Sequence, residues 1–142
     1  LVAIPNGGVP LARIIAAQVR EITGLEVPVG ILDTTLYRDD LSARGERPPL
    51  RRTEMPSAVD DRVVVLVDDV VSTGRTIRAV RNALFGYGRP ASVKLAVLVD
   101  RGGRELPIEA NFAASRVTLA SNQSLALARS DAGVFSFDVK ER

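Results

Sequence analysis

The apolar positions of the chain change period along its length, and each change marks an element. Leu1 to Ile4 is a short apolar run that stops at Pro5-Asn6-Gly7-Gly8, a turn-forming group, so it reads as a buried strand. It opens without a Met and enters that strand midway, which leads to the expectation of a further N-terminal segment upstream. From Val9 to Thr23, Leu11, Ile14, Ile15, Val19 and Ile22 recur at helical spacing and Gly24 supplies a C-terminal stop. An amphipathic helix is expected there. Val27 to Leu36 is β-rich and mostly apolar, which completes a strand, helix, strand unit. Tyr37 to Asp61 has neither period; it carries prolines at 48, 49 and 56, and six acids against five arginines. A loop this long in a compact domain is a mobile lid or binding loop, a disordered segment, or a solvated insertion without a role.

Arg62 to Val67 contains the most apolar stretch, VVVLV, the pattern of a central parallel strand buried on both faces, and it is expected to end at Asp68-Asp69. Val70 to Gly74 reads as a turn. A second helix is expected over Thr76 to Tyr87, with Ile77, Val80 and Leu84 inward and Arg75, Arg78 and Arg81 on another side. Val93 to Val99 is a further buried strand, Asp100 to Pro107 a polar loop, and Ile108 to Leu119 holds a short strand. Ser124 to Val139 alternates around Asp131-Ala132-Gly133, as a hairpin does. Strands alternating with helices predict an α/β fold with a central, mostly parallel sheet flanked by helices, in which ligands gather at the carboxyl ends of the strands. Here those ends are Asn6-Gly7-Gly8, Asp33 to Arg38, Asp68-Asp69 and Asp100-Arg101-Gly102.

Composition narrows the chemistry. A length of 142 residues suits one domain over 1–142. Cysteine and histidine are both absent, which excludes disulfides, thiolate zinc sites and every His-based acid-base mechanism, and leaves oxygen as the donor for any metal. No apolar run approaches the ~20 residues that span a bilayer, and a cytoplasmic location without membrane contact is expected. The net charge is only +2, yet Ser72 to Arg104 holds seven basic residues and one acid, Asp100. That local excess suits an anionic ligand.

The most informative stretch is VVVLVDDVVSTGRT, Val63 to Thr76. A buried strand delivers two carboxylates to a small hydroxyl-rich turn that opens a helix. Such a turn offers N–H groups, hydroxyls and the positive helix end to a phosphate, while the carboxylates suit sugar hydroxyls or a hydrated magnesium ion. Together they describe a site for a phosphorylated sugar. Val64 to Thr76 resembles, throughout its thirteen residues, the 5-phosphoribosyl diphosphate (PRPP) signature of the type I phosphoribosyltransferase family. The resemblance implies the family's fold with a small C-terminal hairpin or hood, ribose hydroxyls held by Asp68 and Asp69, and a 5-phosphate cradled by Val71, Ser72, Thr73, Gly74, Arg75 and Thr76. It also implies Mg2+ as cofactor, bridging pyrophosphate and ribose oxygens and reached mostly indirectly from Asp68 and Asp69.

Three segments point within that family to the PyrR group, pyrimidine-operon regulators that also carry uracil phosphoribosyltransferase activity. Asp33 to Leu41, DTTLYRDDL, is similar to the start of the group's mobile loop; Ala96 to Ile108, AVLVDRGGRELPI, to its base-side loop; and Gly88-Arg89-Pro90 sits where the group has it. The similarity covers roughly residues 1 to 113. It implies a uracil phosphoribosyltransferase-like protein that converts uracil and PRPP to UMP and pyrophosphate. Asn6, Gly7 and Gly8 take the place of the pyrophosphate loop, Arg38 closes over the pyrophosphate, and Val99, Asp100 and Arg101 form the base side, chiefly through backbone atoms. Purine members often carry Asp at the position of Ser72, so its absence leans toward a pyrimidine. A homodimer or homotetramer is implied as well.

The chain departs from the group at several places. The pyrophosphate loop lacks the usual Thr-Arg-Gly, Gly103 stands for a histidine, and Glu109 stands for an arginine. The last two weaken a surface for an mRNA leader, since affinity for RNA follows the number of phosphates neutralised. Three other readings therefore accompany the enzyme: an RNA-binding attenuation regulator that senses UMP and PRPP, an inactive nucleotide-binding family member, and, remotely, a receiver-like signalling domain. In a receiver the Asp pair follows the first strand, whereas here it follows a central strand and runs into a phosphate turn.

Overall fold

The computed structural model describes residues 1–5, 7–32, 55, 59–120, 122–131 and 134–141. Five parallel strands, β1 (Val2–Ala3), β2 (Gly30–Ile31), β3 (Val63–Val71), β4 (Ser92–Asp100) and β5 (Phe112–Arg116), form one sheet in the order β2-β1-β3-β4-β5. Among the described residues two helices, α1 (Gly8–Thr23) after β1 and α2 (Arg75–Leu84) after β3, accompany the sheet, and β6 (Gln123–Arg129) pairs with β7 (Phe135–Glu141) as an antiparallel hairpin.

β-branched residues fill β3 because it is central and buried on both sides. Alternation along the strand sends Val64 and Leu66 to one face, where they pack with Ile77, Val80 and Leu84 of α2 and with Leu95 and Val97 of β4. Val65 and Val67 go to the other face, against Val9, Leu11 and Ala12 of α1, Leu98 of β4 and Phe135 of the hairpin. Each helix thus covers one face, the arrangement that a purely parallel sheet requires.

Several boundaries differ from the sequence expectation. β3 does not stop at Asp68 but runs to Val71, because Asp68, Val70 and Val71 stay in register with Val97, Val99 and Asp100 of β4. Ladder pairing outlasts the apolar run. α2 ends at Leu84, and Phe85 and Tyr87 beyond it are exposed. In α1 full burial is confined to Gly8, Val9, Leu11 and Ala12, and Ile22 is 79% exposed although the helical period placed it inward. The period specifies a face, not how far the neighbouring core extends along it. Of the expected strand over Val27 to Leu36, Gly30–Ile31 pairs with β1, and positions 33–36 lie outside the described residues. Most of the expected loop over 37–61 lies outside them too, but Val59 is buried and Met55 packs on the α2-side core.

Candidate functional site

The carboxyl ends of β3 and β4 bring most of the candidate residues together. Asp68 is only 8% exposed. Its Oδ1 accepts the Asp69 N–H at 2.8 Å, and Asp69 Oδ1 accepts that of Val70 at 2.7 Å. Because both residues belong to the strand, alternation separates the carboxylates. Asp68 lies on the α2 face and lines a cavity with Val71, Ser72, Thr73, Gly74 and Thr76. Asp69 lies on the α1 face, against Gly7, where a Cβ would overlap its carboxylate. One acid therefore faces the Ser72–Gly74 bend and the other faces the glycine loop.

The cavity beside Asp68 has a volume of about 110 Å3. Its floor is Ser72 to Gly74, the bend between β3 and α2. Gly74 holds φ +91°, a left-handed conformation open to glycine, with Leu106 and Ile108 packed around it. Thr73 Oγ1 accepts the first helical N–H, that of Arg75, at 3.2 Å. The next N–H groups of α2 have no partner within the helix, as at any helix start, and Thr76 and Ile77 border the cavity. The bend is thus a small polar concavity with helix-end polarity, large enough for one phosphate group.

Gly7 and Gly8 serve packing. Gly8 begins α1 and donates its N–H to Ile4 O at 2.9 Å, and a side chain there would overlap the Val67 carbonyl of β3. Bare backbone lets α1 start directly against the strand that carries the acids. Asn6 and Arg38 lie outside the described residues.

At the end of β4, where the base side is expected, Val99 and Asp100 remain in the β3–β4 ladder, and Arg101 donates its N–H to Val71 O at 3.1 Å. The Asp100 carboxylate is fully engaged. It accepts the Gly102 N–H at 3.0 Å and a two-pronged contact from Arg104, Nη1 to Oδ1 at 3.0 Å and Nη2 to Oδ2 at 2.7 Å. Arg116 stands at 4.0 Å. The hydrogen bond from Arg104, chiefly, holds this carboxyl below the usual carboxylate range, against the upward push of burial. Arg101 Nη2 donates to Gln123 O at the start of β6, at 3.1 Å. Its Nε is buried and, among the described residues, is the buried side-chain nitrogen or oxygen with no hydrogen-bond partner.

Arg104 was not legible as a site residue. Its side chain is 17% exposed and donates to Ser72 O, Asp100 and Ile108 O. The i,i+4 spacing of Asp100 and Arg104 was the available signal, obscured because a Gly-Gly segment reads as a solvated turn. Asp100→Asn is expected to lower stability at neutral pH by about 2–3 kcal/mol, since it leaves Arg104 without its counter-charge. A carboxyl whose pKa is depressed on folding contributes stability above its unfolded value and loses it as pH falls through the folded one. Urea unfolding should therefore give a constant gap between wild type and variant above about pH 5, closing below about pH 4.

A larger cavity of about 480 Å3 lies at the amino ends of the strands, among Val2, Val27, Val59 and Val64. It is remote from the strand ends where parallel sheets place their chemistry. No helix of the described residues is long and apolar enough to cross a membrane.

The model of the phosphoribosyl transferase domain matches residues 1–123. The protein named bifunctional protein PyrR of Pelotomaculum thermopropionicum is 50% identical over 127 residues, covering 89% of this chain and 70% of its own length. That of Herpetosiphon aurantiacus is 56% identical over 123 residues, covering 87% and 68%. Among solved structures, a hypoxanthine phosphoribosyl transferase of Trypanosoma cruzi superposes with a TM-score of 0.64 at 21% identity, over 84% of this chain and 60% of that one, and supports the fold alone. The chain thus spans about two thirds of the length of the relatives it matches. With the acid-bearing central strand, the hydroxyl-rich bend and these relatives in view, the chain belongs to the phosphoribosyltransferase family, in its PyrR group.

Proposed function

We propose that the protein transfers the 5-phosphoribosyl group of PRPP to a ring nitrogen of uracil, releasing pyrophosphate and forming UMP. The observation that carries this reading is the cavity at the end of β3, where Asp68 and the Ser72–Gly74 bend line one concavity. The bend takes the 5-phosphate and Asp68 a ribose hydroxyl. Asp69, beside Gly7, faces the side on which the leaving pyrophosphate is held. Val99, Asp100 and Arg101 at the end of β4 stand on the base side, chiefly through backbone atoms. The reaction has an oxocarbenium-like transition state, and the protein's contribution is orientation and charge stabilisation.

Among the described residues no group of three or more metal-binding side chains forms a cage. Two separated carboxylates fit magnesium, which binds through one or two carboxylates together with substrate phosphates. When bound, the ion neutralises charge developing on the pyrophosphate.

Thr73→Val and Thr76→Val are each expected to raise the KM for PRPP about 10- to 150-fold with little change in that for uracil, since each removes a hydroxyl hydrogen bond to a charged phosphate worth roughly 1.5–3 kcal/mol. Steady-state kinetics with each substrate varied checks this, and a change confined to uracil contradicts the assignment. A second role, binding an mRNA leader, is favoured by the relatives' bifunctional name and the exposed Arg78 and Arg81 on α2. Arg104, turned inward, does not add to that face. Gel shift with the native leader at two salt concentrations tests it; sequence-selective submicromolar binding supports it, and weak, unselective binding removes it.

A further inference from the structure

We propose that Arg104 is a positioning residue that orients the phosphate-binding amides of the Ser72–Gly74 bend and ties them to the base-side loop. The inference rests on the phosphoribosyl-transfer reading above. Arg104 Nη1 donates to Ser72 O at 2.9 Å, while the same guanidinium is held by both oxygens of Asp100 and by Ile108 O. The adjacent carbonyl, Thr73 O, accepts the N–H groups of Glu105 at 2.9 Å and Leu106 at 3.2 Å. Two consecutive carbonyls of the bend are therefore turned toward the loop over 101–108.

In a planar trans peptide the C=O and the following N–H point in opposite directions. Clamping Ser72 O and Thr73 O toward the loop turns the Thr73 and Gly74 N–H groups away from it. The cavity beside Asp68 is lined by Ser72, Thr73 and Gly74 and, among its described lining, by no residue of that loop. Both N–H groups are thus set for an anion before it arrives; the first is held through Arg104 by Asp100, at the end of the base-side strand, and the second by the Glu105 and Leu106 amides that follow Arg104. A lysine would keep the charge but cannot grip Ser72 O and both Asp100 oxygens through one planar fork.

The test compares the full chain with Arg104→Lys and Arg104→Gln, of which the first keeps the charge and the second a hydrogen-bond donor, and urea unfolding of both guards against simple unfolding. Calorimetric titrations use UMP and uridine, a pair differing only in the phosphate, and kinetics separate KM for PRPP from kcat. Both variants are expected to lose about tenfold in UMP affinity and to raise the KM for PRPP by a similar factor, with uridine affinity and kcat within twofold of wild type. Equal losses toward UMP and uridine mean that Arg104 is only scaffold, and unchanged UMP affinity means that the bend orients itself; either overturns the inference while leaving the phosphoribosyl-transfer reading in place. A wild-type chain that does not favour UMP over uridine overturns both.

Discussion

Replacing Gly8 with alanine should destabilise the protein by about 3 kcal/mol or more and lower its Tm by about 10 °C. Two effects compete at this position. Alanine improves helix propensity by up to about 1 kcal/mol. Against that, its Cβ would overlap the Val67 carbonyl, a backbone atom at the centre of β3 that cannot rotate away. The overlap wins, because relieving it means moving α1 off the sheet and separating Val9, Leu11 and Ala12 from Val67. Gly24→Ala is the informative control. That glycine also ends a helix, at φ +74°, but nothing lies within 4 Å of the added atom, so only left-handed strain of about 1 kcal/mol is expected. Thermal unfolding of the two variants side by side checks the account, and equal shifts would mean that the α1–β3 approach is looser than described.

Changing Asp68 and Asp69 to asparagine should remove catalysis while preserving the fold. Asparagine keeps the shape and an oxygen that accepts the Asp69 and Val70 N–H groups, so the end of β3 retains its local hydrogen bonds. What disappears is the negative charge that the proposed mechanism sets toward the ribose and the leaving group, and loss of one such preorganised charge typically costs 100-fold or more. Each single variant should lose about 100-fold in kcat/KM for PRPP, and the double variant should have no measurable turnover. Because alternation puts the two carboxylates on opposite faces, the singles should differ in kind. Asp68→Asn, in the cavity at the end of β3, should weaken PRPP and UMP alike. Asp69→Asn, beside Gly7, should weaken PRPP and pyrophosphate more than UMP. Identical binding profiles for the two would contradict the separation.

That separation marks the limit of what the sequence disclosed. VVVLV is unmistakably a strand buried on both faces, and the acids, the bend and α2 follow it in an order legible from residue types alone. Two acids in a row, however, read as the end of a strand, whereas pairing with Val97, Val99 and Asp100 carries β3 on to Val71. Only then does the two-residue period assign the carboxylates to different faces. Gly7 and Gly8 suggested close approach of an anion, but the atoms they approach, Asp69 and Val67 O, lie some sixty positions away in the chain, and no local pattern encodes that contact. Arg104 was hidden for a related reason. Its partners are a carboxylate four residues back and a carbonyl in another loop, and its inward turn depends on the left-handed Gly102 and Gly103, at φ +71° and +74°.

The central claim is phosphoribosyl transfer to uracil at the end of β3. It is tested most directly by mixing the purified chain with PRPP, magnesium and, separately, uracil, orotate, adenine and hypoxanthine, while following nucleotide and pyrophosphate. The account predicts UMP and pyrophosphate in equal amounts with uracil alone. Nucleotide formed from a purine base, or no turnover with any of the four, would contradict it.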